Sequence, residues 1–454
     1  MPPAPRGRYN PHALDPPADT DPTLRRSLGL LETTLGGVGI ILGAGIYALV
    51  GEVAGKAGNA VWISFLISAA MAAVIGLAYA ELSSALPRAG ADYEYSRQAL
   101  GPRPAFVVGW LMVIGNIIAA ATVALGFGGY LATFVDVDAR VPAIVALAVA
   151  TLIAFYGIRQ TVWASIVGTL VEVAGLVLII AIGVPHLGDE PLTELPRGAG
   201  GVLSGAALVM FAFLGFSQIA TLSEEAEDAS RVVPAAMLLS IGFTTVLYIL
   251  VAVSAVSVLG WQALGASEAP LADVAAAVLG ERASDTVAVI ALFSTANTML
   301  LLLVAASRMI YGMASRAALP RFLAWVHPGA RTPARAIVLS LLLAGAFTAT
   351  GELSFVAGAT NFVVFVGFGA VCLSLILLRR SRPELPRPFR VPASVRGLPV
   401  VPVVGIALVV LLTANLGGDV LLLGAALFVS GIVGMEALSL WRPPEGAADE
   451  AREP

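Results

Sequence analysis

Charged residues are scarce in this chain, which excludes an ordinary soluble domain. Of its 454 residues 12% are charged and 58% are hydrophobic, whereas a typical soluble domain has about 25% charged residues. The charges are clustered, and the intervals between them reach the ~20 apolar residues that a helix needs to cross a bilayer. We therefore expect an all-α membrane protein whose partner is the lipid bilayer, and no nucleic-acid partner.

Cysteine and histidine are also scarce, and the common catalytic patterns are missing. The chain has one cysteine and three histidines, without ligand spacing between them, so we expect neither an intramolecular disulfide nor a metal site. The sequence has no HExxH, GxSxG or Walker A pattern, which argues against a zinc protease, a serine hydrolase and an ATPase. We expect no enzyme and no cofactor.

The long uncharged intervals predict twelve membrane-spanning helices. The first span is rich in glycine and lies within residues 33–51, and a span at about 161–187 is interrupted by the single acid Glu172. The other ten intervals are 57–80, 104–135, 141–158, 198–223, 232–267, 286–307, 336–351, 353–378, 397–418 and 420–435.

The basic residues predict the orientation of these spans. With both termini in the cytoplasm, 22 of the 26 Lys and Arg residues fall on the inner side, as the positive-inside rule requires. We therefore expect a multi-pass protein of the cell membrane with both termini cytoplasmic, and disordered tails at 1–27 and 442–454. Four prolines within 379–392 forbid a regular helix, so a cytoplasmic loop at 379–398 separates ten spans from a final pair at 399–441.

The most informative segment is residues 36–47, which place five glycines inside the first span. Glycine destabilises a helix, and broken backbone persists in a bilayer where it lines a cavity or is buried in protein. The segment therefore predicts an interrupted helix beside a binding site. The alternative for Gly39 and Gly43 is a close-packing face for a neighbouring helix.

A second candidate interruption lies at 211–217 in the sixth span. Gly43 and Gly215 are 172 residues apart, about the length of five spans, and five spans is an odd number that inverts the second unit. Interruptions at matching places in two inverted halves indicate a midplane binding site in a secondary transporter. The sequence thus predicts a first five-helix repeat at 28–187 and a second, inverted one at 201–378.

Several blocks resemble the amino acid–polyamine–organocation superfamily of permeases. The blocks are 43–47 (GAGIY), 79–90 (YAELSSALPRAG), 211–225, 307–322 and 382–390 (RPELPRPFR), and the resemblance covers nearly the whole chain after residue 28. It implies a LeuT-type fold, with a 5+5 inverted repeat, broken helices 1 and 6, and two C-terminal helices. The sixth span is similar to that of the cationic amino-acid transporters, which usually carry an acid where Ser217 stands.

Freed backbone groups at the two interruptions suit an amino acid. Amides at the start of a resumed helix attract a carboxylate, and unpaired carbonyls suit an ammonium group. The predicted substrate-binding residues, some also implied by the family, are Ile41, Gly43, Ala44, Gly45, Phe211, Phe213, Leu214 and Gly215. Phe213 and Phe216 are candidates for gating the site or for ordinary packing. Asn116 in the third span is a candidate for the pocket or for an interhelical hydrogen bond.

Glu172 is the candidate for ion or proton coupling, because an ionisable residue deep in a span is functional by default. It can carry a proton, or help to bind Na⁺ with the hydroxyls of Ser294, Thr295 and Thr298 in the eighth span, as in sodium-coupled LeuT-type carriers. The alternatives are a permanently protonated carboxyl bonded to a neighbouring helix and packing by small polar side chains. At the cytoplasmic side, Arg308 is predicted either to close a gate with Glu81, Glu224 or Glu225, or to serve as an interfacial anchor.

Together these features predict a secondary active amino acid transporter that works by alternating access, with proton-coupled uptake across the cell membrane. The alternatives are a polyamine/amino acid exchanger of the same superfamily and, in a different class, an ion channel. Polyamine sites need acidic side chains, which the first and sixth spans lack, and a channel needs a polar pore.

Overall fold

The computed structural model describes residues 28–86, 91–156, 162–224, 226–315, 318–395 and 397–441. The predicted tails at 1–27 and 442–454 lie outside the described residues, as do Glu225 and the end of the 79–90 block. Glu224 is described in its backbone, and its side chain lies outside the description.

Helices form nearly all of the described chain. The fifteen α-helices of the described residues are α1 (Leu30–Ile41), α2 (Ala44–Ala57), α3 (Val61–Ala85), α4 (Ala91–Leu100), α5 (Pro102–Ala132), α6 (Arg140–Tyr156), α7 (Val162–Gly183), α8 (Gly198–Phe213), α9 (Ala229–Ala266), α10 (Pro270–Leu279), α11 (Glu281–Ser315), α12 (Ala334–Thr348), α13 (Leu353–Ser381), α14 (Val400–Thr413) and α15 (Gly418–Trp441). Four 3-10 segments accompany them at Gly58–Ala60, Val184–His186, Leu214–Glu224 and Arg321–Ala324. A two-stranded antiparallel hairpin joins β1 (Ser394–Val395) to β2 (Leu398–Pro399).

Eight helical segments among the described residues are long and apolar enough to cross a bilayer. Five shorter apolar helices, α1, α6, α10, α12 and α14, lie among them. Large apolar side chains are exposed along the outer helices, including Leu152 on α6, Leu342 on α12 and Leu422 on α15. A soluble monomer rarely exposes apolar surface on this scale, so the all-helical architecture is that of a multi-span membrane protein.

Many helix contacts join segments that are distant in sequence. Taking residues 28–187 and 201–378 as two parts, α5 contacts α6 within the first and α11 contacts α12 within the second, while α7 contacts α9 and α13 contacts α3 across the two parts. Between the parts, α2 packs against α8, α3 against α9, and α5 against α11. Contacts of α6 with α11 and of α12 with α5 also join the two parts. This arrangement buries the facing ends of α1, α2 and α8 at the centre of the molecule.

Three features of the fold are not foreseen by counting apolar intervals. The ten-residue helices α4 and α10 are too short to register as spans. The helical run α9 is interrupted at Gly260, whose φ of 71° and ψ of 158° lie outside the helical region. As the prolines predict, α13 ends at Ser381 and gives way to irregular chain and the hairpin.

Candidate functional site

The first predicted interruption is present between α1 and α2. The Leu42 amide donates the last hydrogen bond of α1, to the Val38 carbonyl oxygen at 2.7 Å, and Leu42 then turns to extended backbone with ψ of 134°. Gly43 is also extended, and α2 begins at Ala44. The glycine-rich sequence therefore breaks the helix at the predicted place, and the first amides of α2 point out of the helix without partners in it.

The second interruption is a change of helix type. The α-helical α8 ends at Phe213, and Leu214–Glu224 continues as a 3-10 helix. The sequence predicted an interruption at 211–217; the α-helix ends inside this stretch, and the chain continues beyond it in the 3-10 conformation. A 3-10 helix keeps hydrogen bonds between residues three apart, in poorer geometry than an α-helix, so the segment is tightened rather than opened.

The two interruptions lie directly against each other. A Cβ atom built on Gly45 would lie 2.6 Å from Cα of Ala212, and one built on Gly215 would collide with the backbone of Ile40. The two glycines therefore allow close backbone approach between α2 and α8, and between α1 and the 3-10 segment. Ile41, Ala44, Phe211 and Phe213 are buried at this contact or beside it, and Leu214 is half-buried. The structure thus brings the residues predicted at the two interruptions together.

Tyr248 on α9 connects the two interruptions. Its hydroxyl lies 3.2 Å from the carbonyl oxygen of Ile41, at the end of α1, and 3.3 Å from that of Ala212, near the end of α8. A hydroxyl carries one hydrogen, so it donates to one of these carbonyls at a time. The ring of Tyr248 is fully buried between Phe65 and Phe213.

The predicted aromatic and amide candidates have identifiable partners. Phe213 packs edge-on against Tyr248, and Phe216 packs against Tyr79 and Phe368. Asn116 donates to the Met112 carbonyl oxygen in its own helix at 2.8 Å and lies 3.6 Å from the Met309 sulfur on α11. The Asn116 contacts are those of the interhelical alternative, and its pocket role stays a prediction.

Glu172 is buried at the middle of α7, close to the first interruption. Its carboxyl faces the buried hydroxyl of Ser294 on α11. Its backbone carbonyl accepts a hydrogen bond from the Tyr47 hydroxyl at 2.9 Å. The Ala44 amide lies 3.4 Å from the Thr298 hydroxyl oxygen and donates to it. Within the described residues, no group of three or more His, Cys, Asp or Glu side chains is placed to hold a metal ion.

The ion-pair partners of Glu81 differ from the predicted one. Glu81, fully buried at the end of α3, pairs with Arg379 and Arg387 instead of Arg308. Arg379 donates to both carboxylate oxygens, Arg387 lies 3.5 Å from Oε1, and the Val391 amide donates to Oε2 at 2.7 Å. Arg308 is exposed. Spacing along a helix cannot show this pairing, because the partners are about 300 residues apart in sequence.

The guanidinium group of Arg387 lies among several charged side chains. Burial lowers the pKa of its guanidinium group, Glu81 opposes this shift, and Arg379 and Arg390 add to it. Arginine stays protonated across the physiological range, so the Glu81 pair persists whenever the carboxylate is ionised. The pair therefore connects α3 to the C-terminal end of α13 and to the loop that follows it.

Removing the Glu81 carboxylate should destabilise the protein strongly. Glu81→Gln leaves two largely buried guanidinium groups without their anion, and the loss of one partner of a buried pair costs about 3–5 kcal/mol. Thermal unfolding of the purified protein measures the effect. The matched control is Asp228→Asn, which removes one partner of the exposed Asp228–Arg231 pair and should leave the melting temperature close to that of the wild type. Equal melting temperatures for the two variants would contradict the assignment.

Three buried tyrosines are the functional candidates that sequence reasoning missed. Tyr47, Tyr130 and Tyr248 each donate to a backbone carbonyl of another helix: Tyr47 to Glu172, Tyr130 to Tyr47, and Tyr248 to Ile41 or Ala212. A tyrosine deep in an apolar span needs a partner for its hydroxyl, and this is the signal that identifies such residues.

Comparison with known proteins agrees with this architecture. The profile of the family described as "Amino acid permease" matches residues 28–436. The chain is 28% identical over 421 residues to the branched-chain amino acid permease BcaP of Bacillus subtilis, covering 87% of this chain and 89% of the relative. It is 30% identical over 403 residues to the methylthioribose transporter of the same organism, covering 84% and 86%.

A plant relative extends the comparison. The chain is 28% identical over 388 residues to the vacuolar cationic amino acid transporter 2 of Arabidopsis thaliana, covering 80% of this chain and 61% of the relative. The matched family, the transporter relatives and the apolar helices agree with one another. The chain belongs to the amino acid permease family, as a multi-pass membrane protein.

Proposed function

We propose that this protein is a secondary active carrier that moves an amino acid through the membrane by alternating access. The observation that carries the proposal is the meeting of the two interruptions, where the first amides of α2 lie close to the carbonyls of Ile41 and Ala212. Amides at a helix start suit a carboxylate, and paired carbonyls suit an ammonium group. A zwitterion satisfies both sets at once, which reduces the cost of burying its charges.

The Tyr248 hydroxyl supports this assignment of the ammonium end. It occupies the position between the two carbonyls that an ammonium group would take, and it satisfies them one at a time. An ammonium group has three hydrogens and can donate to both carbonyls together. The described conformation is closed, because Gly45 and Gly215 lie in backbone contact with the opposite interruption. Substrate entry then requires α2 and α8 to separate.

The repeated packing supports a twelve-span, LeuT-type organisation. Each half contributes one interrupted helix, formed by α1 and α2 in the first and by α8 and the 3-10 segment in the second. Exchange of the halves relates α6 beside α11 to α12 beside α5, and α7 beside α9 to α13 beside α3. We therefore retain the repeats at 28–187 and 201–378, the loop at 379–398 and the final helices at 399–441. Rocking of one unit against the other exposes a midplane site to each side in turn.

For coupling, we favour the proton carried by Glu172. Its carboxyl is buried beside the Ser294 hydroxyl, one helix away from the first interruption. Protonation of this carboxyl removes a charge from the centre of the protein and thereby changes the cost of moving the helices. The basic residues favour a cell-membrane orientation with both termini in the cytoplasm. Sodium coupling through Glu172, Ser294, Thr295 and Thr298 is the alternative that the same experiments distinguish.

The matched family supports an amino acid as the substrate, and the relatives differ in the substrates for which they are named. Relatives are named for branched-chain amino acids, for cationic amino acids and for methylthioribose. A polyamine has no carboxylate, so it would leave the amides of α2 unused. The described stretches 41–45 and 211–217 also carry no acidic side chain to hold a second ammonium group.

Reconstituted transport tests the proposal. Purified protein in proteoliposomes should take up labelled amino acids with saturation, and an inward proton gradient should drive accumulation. Competition among unlabelled amino acids, agmatine and methylthioribose then identifies the substrate class. Ion currents without saturable uptake would indicate a channel instead, and exchange without net uptake would indicate an obligatory exchanger.

A further inference from the structure

A cavity of about 240 Å³ lies away from the two interruptions, at the outer end of the molecule in the proposed orientation. It is bordered by the end of α2, the middle of α8, the first turns of α13, the connection between α14 and α15, and the start of α15. A cavity needs only about 10–15 Å³ of this kind of volume to hold one water, so this one has space for a small solute.

The lining of this cavity, which we call the outer cavity, is rich in polar groups. Half of its lining residues are polar or charged, and these are Lys56, Ser204, Glu352, Ser354, Asn415 and Asp419. They come from five helices or their connections that are distant in sequence. The Ser204 hydroxyl donates to the Asn415 carbonyl oxygen at 3.0 Å, which fixes the α14–α15 connection to α8. The outer cavity is therefore held together by polar contacts and is not a gap between lipid-facing surfaces.

The charges of the outer cavity are mixed in sign. Lys56 supplies one ammonium group, and Glu352 and Asp419 supply two carboxylates. Glu52, one helical turn before Lys56, faces Lys56, Ser354 and Glu352. The four groups have a net charge of −2, which favours a cationic ligand, while Lys56 offers a position for one negative group.

We propose that the outer cavity binds a basic α-amino acid at a second site, separate from the contact between the two interruptions. The α-ammonium group and the side-chain ammonium or guanidinium group of such a ligand pair with Glu352 and Asp419, and its carboxylate pairs with Lys56. The Leu208 and Gly358 side of the cavity provides apolar contact for the methylene chain.

The outer cavity borders the helices that meet at the centre of the protein. Leu208 lines it, and the Asn361 side chain of α13 donates to the carbonyl oxygens of Ala207 and Leu208 at 2.7 and 3.0 Å. Five residues after Leu208, α8 ends at Phe213. A ligand in the outer cavity therefore contacts α2, α8 and α13 together and holds their outer ends in one arrangement.

Thiol protection tests the site directly. Cys372 is the one native cysteine and is fully buried, so Asn415→Cys in the full-length protein introduces a single accessible thiol beside the outer cavity. We expect lysine and arginine to slow maleimide labelling of this thiol with saturation, and glutamate to have no effect. Equal protection by lysine, alanine and glutamate would overturn the proposal, since the carboxylates would then contribute nothing.

Two further variants assign the protection to the outer cavity. Glu352→Gln with Asp419→Asn should weaken the effect of lysine about tenfold, as the loss of two partly exposed ion pairs implies. The control is Glu281→Gln with Asp285→Asn, which removes two exposed carboxylates from the start of α11, outside the lining. Protection should persist when Gly45→Ala is added to block the central site. Loss of protection there would place the ligand at the centre and overturn the second site, while leaving the proposed transport intact.

Discussion

Glu172→Gln should abolish proton-driven accumulation of the amino acid while leaving exchange of labelled for unlabelled substrate intact. A pH difference of one unit supports about tenfold accumulation through a one-proton symporter, because one unit corresponds to about 1.4 kcal/mol. Glutamine keeps the size of the buried side chain and cannot bind the proton. The inside-to-outside ratio should therefore fall to equality and become independent of the pH gradient. Proteoliposome uptake, measured with and without the gradient, checks both parts.

The control for Glu172 is Glu281→Gln, which neutralises an exposed carboxylate at the start of α11 and should accumulate substrate as the wild type does. Unchanged accumulation by Glu172→Gln would exclude this residue as the proton carrier. Loss of both accumulation and exchange would show that the carboxyl is needed for packing near Tyr47 and Ser294 rather than for coupling. Accumulation that follows a sodium gradient in the wild type would favour the sodium alternative.

Gly45→Ala and Gly215→Ala should each reduce transport by about tenfold or more, since overpacking of this kind costs about 1–3 kcal/mol. A Cβ atom on Gly45 meets the Ala212 backbone, and one on Gly215 meets the Ile40 backbone. Backbone atoms cannot rotate away as the end of a side chain can. The added methyl group therefore forces the two interruptions apart and destabilises the closed conformation. Initial rates of uptake at saturating substrate measure the effect.

Gly36→Ala provides a matched control within the same glycine-rich segment. A Cβ atom on Gly36 meets nothing within 4 Å, and alanine favours the helix relative to glycine by about 1 kcal/mol. This variant should transport at the wild-type rate. If Gly36→Ala were as impaired as Gly45→Ala, the segment would be sensitive to any loss of flexibility, and the argument from close contact would be wrong.

The sequence predicts features that depend on local composition. Apolar length identifies the helices, the glycines at 43 and 45 locate the first interruption, and the prolines after Arg382 locate the irregular loop. Each depends on residues within one or two turns of each other, where intrinsic propensity and hydropathy decide the backbone. The depth of Glu172 in its helix follows in the same way, because a single acid stands out in an apolar span.

Features that depend on distant partners are not predictable in this way. Glu81 meets Arg379 after about 300 residues of chain, and the Tyr248 hydroxyl meets carbonyls of two other helices. Many arginines fit Glu81 by sequence alone, so the predicted pairing of Glu81 with Arg308 was wrong, and Arg379 and Arg387 are its partners. The type of helix after Phe213 is also decided by packing against Ile40, since residues 214–224 have no composition that distinguishes a 3-10 from an α-helix.

The 3-10 segment Leu214–Glu224 is longer than an α-helix of the same residues would be. A 3-10 helix rises about 2.0 Å per residue and an α-helix about 1.5 Å, so rewinding its 11 residues would shorten the segment by about 5.5 Å. The chain beyond Glu224 could be drawn toward the membrane centre by that distance without moving α8. Such a rewinding changes the geometry of the hydrogen bonds in the segment and does not remove them. Amide hydrogen exchange within the segment measures this change.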